Sequence, residues 1–208
     1  PLTPVVDPFE AAQKDSPAIH ELIGSNVAMR IHEGPSEVLD TFAGAACVVR
    51  QRFDVPRLSA VPMEGRAMLA HYQSEEQALT LWTSTQGPHT VKSYLSELLN
   101  LPLDNVRVIA PDVGGGFGQK IEVWPEEMTI SYLAIRLGRP VKWVEDRMEN
   151  LLAQHGRGMA ADVEAAARSD GTILGIRFRI VADLGAYFLL ATASAPNNVA
   201  HRVAGPYD

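Results

Sequence analysis

Two polar loops about 30 residues apart constrain this chain most strongly, because each follows an apolar run that predicts a β-strand. Three consecutive glycines in the second loop carry no Cβ, so the backbone there can adopt positive φ and lie against a bulky group. Gln86 in the first loop has a side-chain amide that can donate and accept hydrogen bonds just before a predicted helix. Together the loops predict one wall of a cofactor pocket. They are Thr83-Ser84-Thr85-Gln86-Gly87-Pro88-His89 and Gly114-Gly115-Gly116-Phe117-Gly118-Gln119-Lys120.

Strand and helix patterns alternate around these loops. Pro88 and Pro125 each stand at a first helical position, and Glu126 and Glu127 complement the dipole of the second helix. Gly138 marks the end of that helix. The strand–helix order from 78 to 144 predicts an α+β or mixed α/β fold of layered sheet and helices. The predicted elements are strands 67–72, 78–82, 106–110 and 141–144, and helices 88–100 and 125–138.

The two ends of the chain carry other patterns. Residues 1–40 are irregular and contain five prolines, which is typical of a linker or an extended arm. A strand pattern covers 45–53. Asp170-Gly171 lies between alternating runs at 160–168 and 172–182, so this stretch predicts a β-hairpin.

Composition indicates a soluble globular protein, with 208 residues of which 46% are hydrophobic and 21% charged. The net charge of −7 argues against a nucleic-acid partner bound through phosphate contacts. The apolar stretches are too short to predict a membrane span. The single cysteine, Cys47, allows no internal disulfide and lies in an apolar run, which predicts a buried thiol in a reducing compartment, the cytoplasm.

The glycine loop, 114–118, has two interpretations. It matches neither the dinucleotide fingerprint nor the phosphate loop, since the glycine spacing differs and no Ser or Thr follows Lys120. It is therefore either a tight strand-to-helix connection or a concavity whose successive N–H groups bind an anionic ligand. Gln86 is likewise either a ligand-binding amide or a helix cap.

Other polar residues predict structural roles more than chemistry. Glu64, flanked by Pro62 and Gly65, is interpreted as a carboxylate that fixes a turn. Glu145-Asp146-Arg147 follows a strand, where adjacent side chains point to opposite faces, so we expect ion pairing or capping there. The six histidines show no pair at metal-ligand spacing, and no protein-ligated metal site is predicted.

Four stretches together resemble the molybdenum hydroxylases of the xanthine dehydrogenase and aldehyde oxidase family, above all large subunits similar to that of aerobic carbon monoxide dehydrogenase. Their order and spacing agree from about Val48 to the C-terminus. With 1–40 interpreted as a linker or extended arm, the resemblance implies that 41–208 is the first half of a molybdopterin-binding domain. The stretches are Ser84-Thr85-Gln86-Gly87-Pro88-His89, Gly114-Gly115-Gly116-Phe117-Gly118-Gln119-Lys120, Pro140-Val141-Lys142-Trp143-Val144-Glu145-Asp146-Arg147 and Asp183-Leu184-Gly185-Ala186-Tyr187.

The resemblance also implies roles for residues of both loops. In this family the pterin, and not the protein, holds the molybdenum. Gln86 would hydrogen-bond an oxygen on the metal, and Gly115, Gly116, Phe117 and Gly118 would place backbone amides and an aromatic ring against the cofactor. The cofactor would be molybdopterin cytosine dinucleotide. The partners would be the rest of the large subunit and iron–sulfur and FAD subunits or domains, and the substrate a small molecule such as carbon monoxide, an aldehyde or an N-heterocycle.

Departures from the family pattern leave a second hypothesis open. Purine-oxidising members carry Glu directly after the Lys of the glycine loop, where this chain has Ile121. The family's glutamate base lies beyond Asp208, so no catalytic residue is assigned within this chain. The alternative is a non-catalytic binding or assembly module that keeps the glycine loop as structure alone.

The resemblance predicts that the isolated chain has no turnover and contains little or no molybdenum, because it would supply only one wall of the site. Metal analysis and dye-reduction assays on the purified chain check this. Stoichiometric molybdenum together with dye-reducing activity would contradict it.

Overall fold

The computed structural model describes residues 4–153, 156, 158–187, 189 and 194–205. The chain divides into two compact units: Ser59–Gly156, which we call the loop unit, and Pro1–Leu58 with Arg157–Asp208, which we call the flanking unit. In chain order the elements are α1 (Pro8–Ala11), α2 (Val38–Ala43), β1 (Cys47–Val55), β2 (Ala67–Gln73), β3 (Ala78–Thr83), α3 (Pro88–Leu99), a short 3₁₀ helix (Leu103–Asn105), β4 (Val106–Ile109), α4 (Pro125–Leu137), β5 (Val141–Val144), α5 (Arg147–Ala153), β6 (Gly158–Ala167), β7 (Ile173–Asp183) and α6 (Ser194–Ala200).

The loop unit contains a four-stranded sheet in the order β4-β3-β2-β5. Strands β2 and β3 form an antiparallel hairpin, and β5 pairs antiparallel with the other edge of β2. Strand β4 returns through α3 to lie parallel to β3, as a strand–helix–strand crossover does. The predicted mixed α/β fold is thus confirmed, and a core lies between this sheet and the helices α3 and α4. The buried core residues are Met68, Ala70, Leu79, Leu81, Val91, Leu95, Val106, Ile130 and Ala134.

Local signals place the ends of α3 and α4 as the sequence predicts. Both helices begin at a proline, whose fixed φ suits the first turn. Asn100 and Gly138 follow them in the left-handed conformation that closes a helix C-terminus. At the start of α4 the Glu127 carboxylate accepts the Trp124 N–H at 2.9 Å.

The flanking unit contains a three-stranded antiparallel sheet in the order β1-β6-β7. The predicted hairpin is present, with Gly171 at φ +88° in its turn. In the described stretch 4–40, the regular structure consists of α1 and the first half of α2, and Phe9 of α1 packs under the guanidinium of Arg52 at 4.3 Å. The boundary between an arm at 1–40 and a domain at 41–208 stays a prediction.

The prediction of a buried Cys47 is wrong, because its side chain is exposed. Strand β1 lies at the edge of its sheet, and eight of its nine residues are exposed in the flanking unit. An apolar run predicts a strand but does not report which faces of that strand are covered.

An ion-pair network fixes the edge of the loop-unit sheet. The Arg66 guanidinium lies 2.7 Å from Glu145 Oε1 and 3.2 Å from Glu126 Oε2, and the rings of Trp124 and Trp143 flank it at 4.5 and 5.3 Å. Burial alone would raise the pKa of Glu145, but hydrogen bonds from the side chain and backbone of Arg66 outweigh burial and lower this pKa. The expected ion pairing at 145 is therefore confirmed.

The neighbouring residue has the capping role that the sequence predicted. Asp146 Oδ1 accepts the N–H of Glu149 at 2.8 Å, and Glu149 Oε2 accepts the N–H of Asp146 at 2.8 Å. Within the described ranges, no helix is long and apolar enough to cross a membrane.

Replacing Arg66 with Ala should lower the free energy of unfolding by about 3–5 kcal/mol, because it leaves Glu145 buried without its counter-ion. Urea denaturation checks this. The matched control is Arg136→Ala, which removes an exposed guanidinium from α4 and should change stability by less than about 1 kcal/mol.

The same pair also predicts a pH dependence. The folded pKa of Glu145 lies below its ordinary value of 4.5, so the stabilisation from its carboxylate is present above pH 4.5 and is lost as the pH falls through the folded pKa. We expect Arg66→Ala to lose less stability than the wild type on acidification below pH 4.5. If the free energy of unfolding of the variant fell as steeply as that of the wild type below pH 4.5, this pairing would be contradicted.

Candidate cofactor-binding site

The fold brings the two predicted loops together. Strands β3 and β4 are parallel neighbours, so the segments that follow them leave the same edge of the sheet. The Gln86 N–H donates to the carbonyl of Lys120 at 2.8 Å, and the Thr85 hydroxyl donates to that same carbonyl at 3.2 Å. Two loops separated in sequence therefore form one bonded surface.

The side chain of Gln86 braces the glycine loop. Its Oε1 accepts the N–H groups of Gly118 and Lys120, each at 3.2 Å. Because these two donors require an oxygen, the orientation of the amide is assigned by the network, and its Nε2 points away from the loop. Gln86 is exposed, and Nε2 has no acceptor within the described residues. The site thus presents a fixed hydrogen-bond donor.

The glycines are required by close approach. A Cβ on Gly116 would lie 2.5 Å from Cδ and 2.9 Å from Cγ of Gln86, and a Cβ on Gly114 would lie 2.6 Å from Cβ of Glu64. Real Cβ atoms do not approach other atoms so closely. Gly115 adopts φ +94°, which glycine alone reaches without strain. The glycine loop therefore packs closely against two side chains of this chain, those of Gln86 and Glu64.

Phe117 is held in an unusual position. Its φ is +52°, a conformation that costs a residue with a side chain about 1–3 kcal/mol, and 76% of its surface is exposed. The N–H groups of Gly116 and Phe117 have no acceptor within the described residues. Gly116 is itself buried, so the loop presents the amide of Phe117 beside an exposed aromatic ring.

The sequence interpretation missed an ion pair between a buried lysine and a half-buried carboxylate. Lys120 has a fully buried side chain whose Nζ lies 2.8 Å from Glu64 Oε2 and 2.9 Å from Ser84 Oγ. The same Glu64 oxygen accepts the Ser84 hydroxyl at 2.8 Å and the Gly114 N–H at 2.7 Å. Burial alone would raise the pKa of Glu64, but these hydrogen bonds and the Lys120 charge lower it.

Glu64 was predicted to fix its own turn, and its carboxylate instead joins that turn to both loops. The sequence contains only a partial signal for the pair. A lysine in a loop without a phosphate-binding pattern needs a counter-ion if it is buried, and Glu64, between Pro62 and Gly65, is a carboxylate in a constrained turn. Nothing in the spacing of 56 residues points to the pairing itself.

Comparisons with known proteins identify the family to which this chain is similar. The family model described as the molybdopterin cofactor-binding domain matches residues 19–208. The nicotine 6-hydroxylase large subunit of Paenarthrobacter nicotinovorans is 41% identical over 189 residues, covering 90% of this chain and 23% of that protein. The carbon monoxide dehydrogenase large chain of Hydrogenophaga pseudoflava is 35% identical over 222 aligned positions, covering 100% of this chain and 28% of that protein.

A solved structure extends the similarity to the fold. The quinoline 2-oxidoreductase of Pseudomonas putida 86 matches with a TM-score of 0.79 and 39% identity, over 90% of this chain and 24% of that chain. The chain therefore belongs to the molybdopterin cofactor-binding domain family. The resemblance drawn from the motifs is confirmed, and the chain spans about a quarter of the length of these relatives.

The residues present fit such a cofactor. A glycine cradle that a Cβ would fill, the N–H of the exposed Phe117 and the oriented Nε2 of Gln86 provide the hydrogen-bond donors that an oxygen-rich anionic group requires. In the described part of the chain, no cluster of three or more His, Cys, Asp or Glu side chains could hold a metal ion.

Replacing Gly116 with Ala should displace the Gln86 side chain, because the added methyl group occupies its position. The loss of two hydrogen bonds predicts a decrease of about 1–3 kcal/mol in the free energy of unfolding and faster amide exchange at Gly118 and Lys120. Hydrogen-exchange mass spectrometry and urea denaturation measure both effects.

The matched control is Gly87→Ala in the neighbouring loop, where an added Cβ would have its nearest atom at an ordinary 3.5 Å. We expect a change of at most about 1 kcal/mol there. Equal exchange at Gly118 in the two variants would contradict the close-approach argument.

Proposed function

We propose that this chain forms one wall of the molybdopterin site in the large subunit of a molybdenum hydroxylase, which oxidises a small carbon substrate with oxygen from water. The observation that carries the proposal is the Gln86 amide, whose Oε1 is occupied by the glycine loop while its Nε2 remains a fixed donor. A donor held in place before substrate arrives stabilises developing negative charge without reorganisation.

In this proposal each part of the loop surface has one task. Gln86 Nε2 would donate a hydrogen bond to an oxygen of the bound cofactor centre. The N–H of Phe117 would donate to anionic atoms of the cofactor, Gly116 leaves room for the Gln86 amide, and Gly115 and Gly118 supply the backbone turns of the loop. The exposed Phe117 ring would contribute an apolar surface beside these donors. When bound, the pterin-held molybdenum would supply the two-electron oxidation chemistry.

The proposed substrates are carbon monoxide, an aldehyde or an N-heterocycle, since the relatives are named for carbon monoxide and nicotine and the solved structure for quinoline. Ile121 argues against a purine, because an aliphatic side chain there cannot hydrogen-bond a purine ring. Two electrons per turnover would pass to iron–sulfur and FAD partners. The remaining part of the large subunit would complete the site, and we propose the cytosine dinucleotide form of the cofactor and a cytoplasmic location.

The alternative is a non-catalytic binding or assembly module. The observation that favours it is the structural use of Gln86, whose Oε1 braces the loop in any case. Under this alternative the donor at Nε2 has no task, so the two hypotheses differ in what the amide nitrogen does.

Gln86→Glu separates these hypotheses in the enzyme assembled from the complete reading frame. A carboxylate keeps the oxygen that braces Gly118 and Lys120 but replaces the Nε2 donor with an acceptor. We expect kcat to fall by about 10²–10³-fold at unchanged molybdenum content, as for other fixed donors to a transition state. Steady-state kinetics and metal analysis measure this.

The matched control is Gln73→Glu, which makes the same chemical change at an exposed position of β2. It should leave kcat within twofold of wild type (about 0.4 kcal/mol). Wild-type turnover by the Gln86→Glu enzyme would overturn the catalytic proposal and favour the assembly module.

A further inference from the structure

We propose that Lys120 is a positioning residue for Gln86, and that it acts through a buried, charge-assisted network with Glu64 and Ser84. This rests on the function proposed above, in which Gln86 donates to the metal centre. The Lys120 side chain is buried and its Nζ bonds Glu64 and Ser84, so Lys120 would act on the cofactor only through Gln86.

The first step is the main-chain link between Lys120 and Gln86. The Lys120 N–H donates to Gln86 Oε1 at 3.2 Å, and the Lys120 carbonyl accepts the Gln86 N–H at 2.8 Å. These bonds hold both the backbone and the amide of Gln86. The position of the Lys120 backbone therefore determines the direction of the Gln86 Nε2 donor.

The second step is the side-chain anchor of Lys120. Its ammonium group is fully buried and bonds Glu64 and Ser84 at 2.8 and 2.9 Å. A fully buried ammonium group is costly unless it is paired and hydrogen-bonded. Lys120 is thus tied at both ends, by its backbone to Gln86 and by its side chain to the interior.

The third step is the meeting of three segments at one atom. Glu64 Oε2 accepts from Lys120 Nζ, from the Ser84 hydroxyl and from the Gly114 N–H. Gly114 opens the glycine loop, and Ser84 lies two residues before Gln86. One carboxylate oxygen therefore fixes the start of each loop, and Lys120 fixes the end of the second.

The fourth step is the reason for a charged residue at position 120. A methionine would fill nearly the same volume without the cost of desolvating an ammonium, so packing alone does not explain a lysine. Charge-assisted hydrogen bonds are shorter and about twice as strong as neutral ones. Such bonds suit a network that must hold two loops in a fixed relative position, because a misplacement of a reacting group by about 1 Å can lower the rate 10²-fold.

The experiment compares Lys120→Met with Lys142→Met in the assembled enzyme. Lys142 is an exposed lysine of β5 in the same unit, so its replacement is the matched control. We expect Lys120→Met to speed amide exchange in peptides covering 114–122 by about tenfold or more, with exchange in α3 and α4 unchanged. This readout does not depend on turnover.

A double-mutant cycle tests whether Lys120 acts through Gln86. We expect Lys120→Met to lower kcat by about 10- to 100-fold at unchanged molybdenum content, and Lys120→Met/Gln86→Ala to be no slower than Gln86→Ala alone. Should Lys120→Met fail to fold, Glu64→Gln serves in its place, because Glu64 is only half-buried and the amide keeps one acceptor oxygen.

Three results would overturn the inference. The first is amide exchange in 114–122 of Lys120→Met at the same rate as in Lys142→Met. The second is faster exchange spread equally over the whole loop unit. The third is a loss of kcat in the double variant equal to the product of the losses in the two single variants. Failure of the proposed function has a different signature. In that case Gln86→Glu and Lys120→Met both keep wild-type turnover, while the exchange result stands independently.

Discussion

The hydrogen bonds between Gln86 and Lys120 are the contacts on which the candidate site depends. Parallel pairing of β3 and β4 delivers two loops to the same edge of the sheet, but it leaves their tips free to move. The mutual bonds between these residues convert two tips into one surface. The requirement for glycine at 116 follows from this contact, because a Cβ there would displace the amide that makes it.

Much of the loop unit could be predicted because its signals are local. Pro88, Pro125 and Gly138 fix helix ends through the φ values they favour, and the intervening apolar residues repeat with helical spacing. Pairing of β5 with β2 is a contact between distant parts of the chain, and no short pattern encodes it. The exposure of Cys47 was not predicted for the same reason, since burial depends on which distant parts of the chain cover a strand.

The residues of the candidate site likewise divide into those that local sequence signals predict and those that only the fold brings together. Gln86 and the glycine loop were found because unusual composition within a few residues reports unusual backbone geometry. Lys120, Glu64 and Ser84 were not found as a group, because their partnership spans 36 and 56 residues. A buried lysine and a surface lysine are identical in sequence, and only the fold distinguishes them.

Glu64 and Arg66 show how the sheet and the loops are coupled. They stand two residues apart, and each places its charge in a different buried network: Glu64 with Lys120, Arg66 with Glu145. Gly65 between them lies so close to the Glu145 carbonyl that a Cβ would be 3.2 Å away, which leaves this segment little freedom. The pKa values of both Glu64 and Glu145 are lowered, so both networks stabilise the fold above pH 4.5 and lose that stabilisation together on acidification. The short segment 64–66 therefore contributes both to the position of the glycine loop, through Glu64, and to the sheet edge, through Arg66.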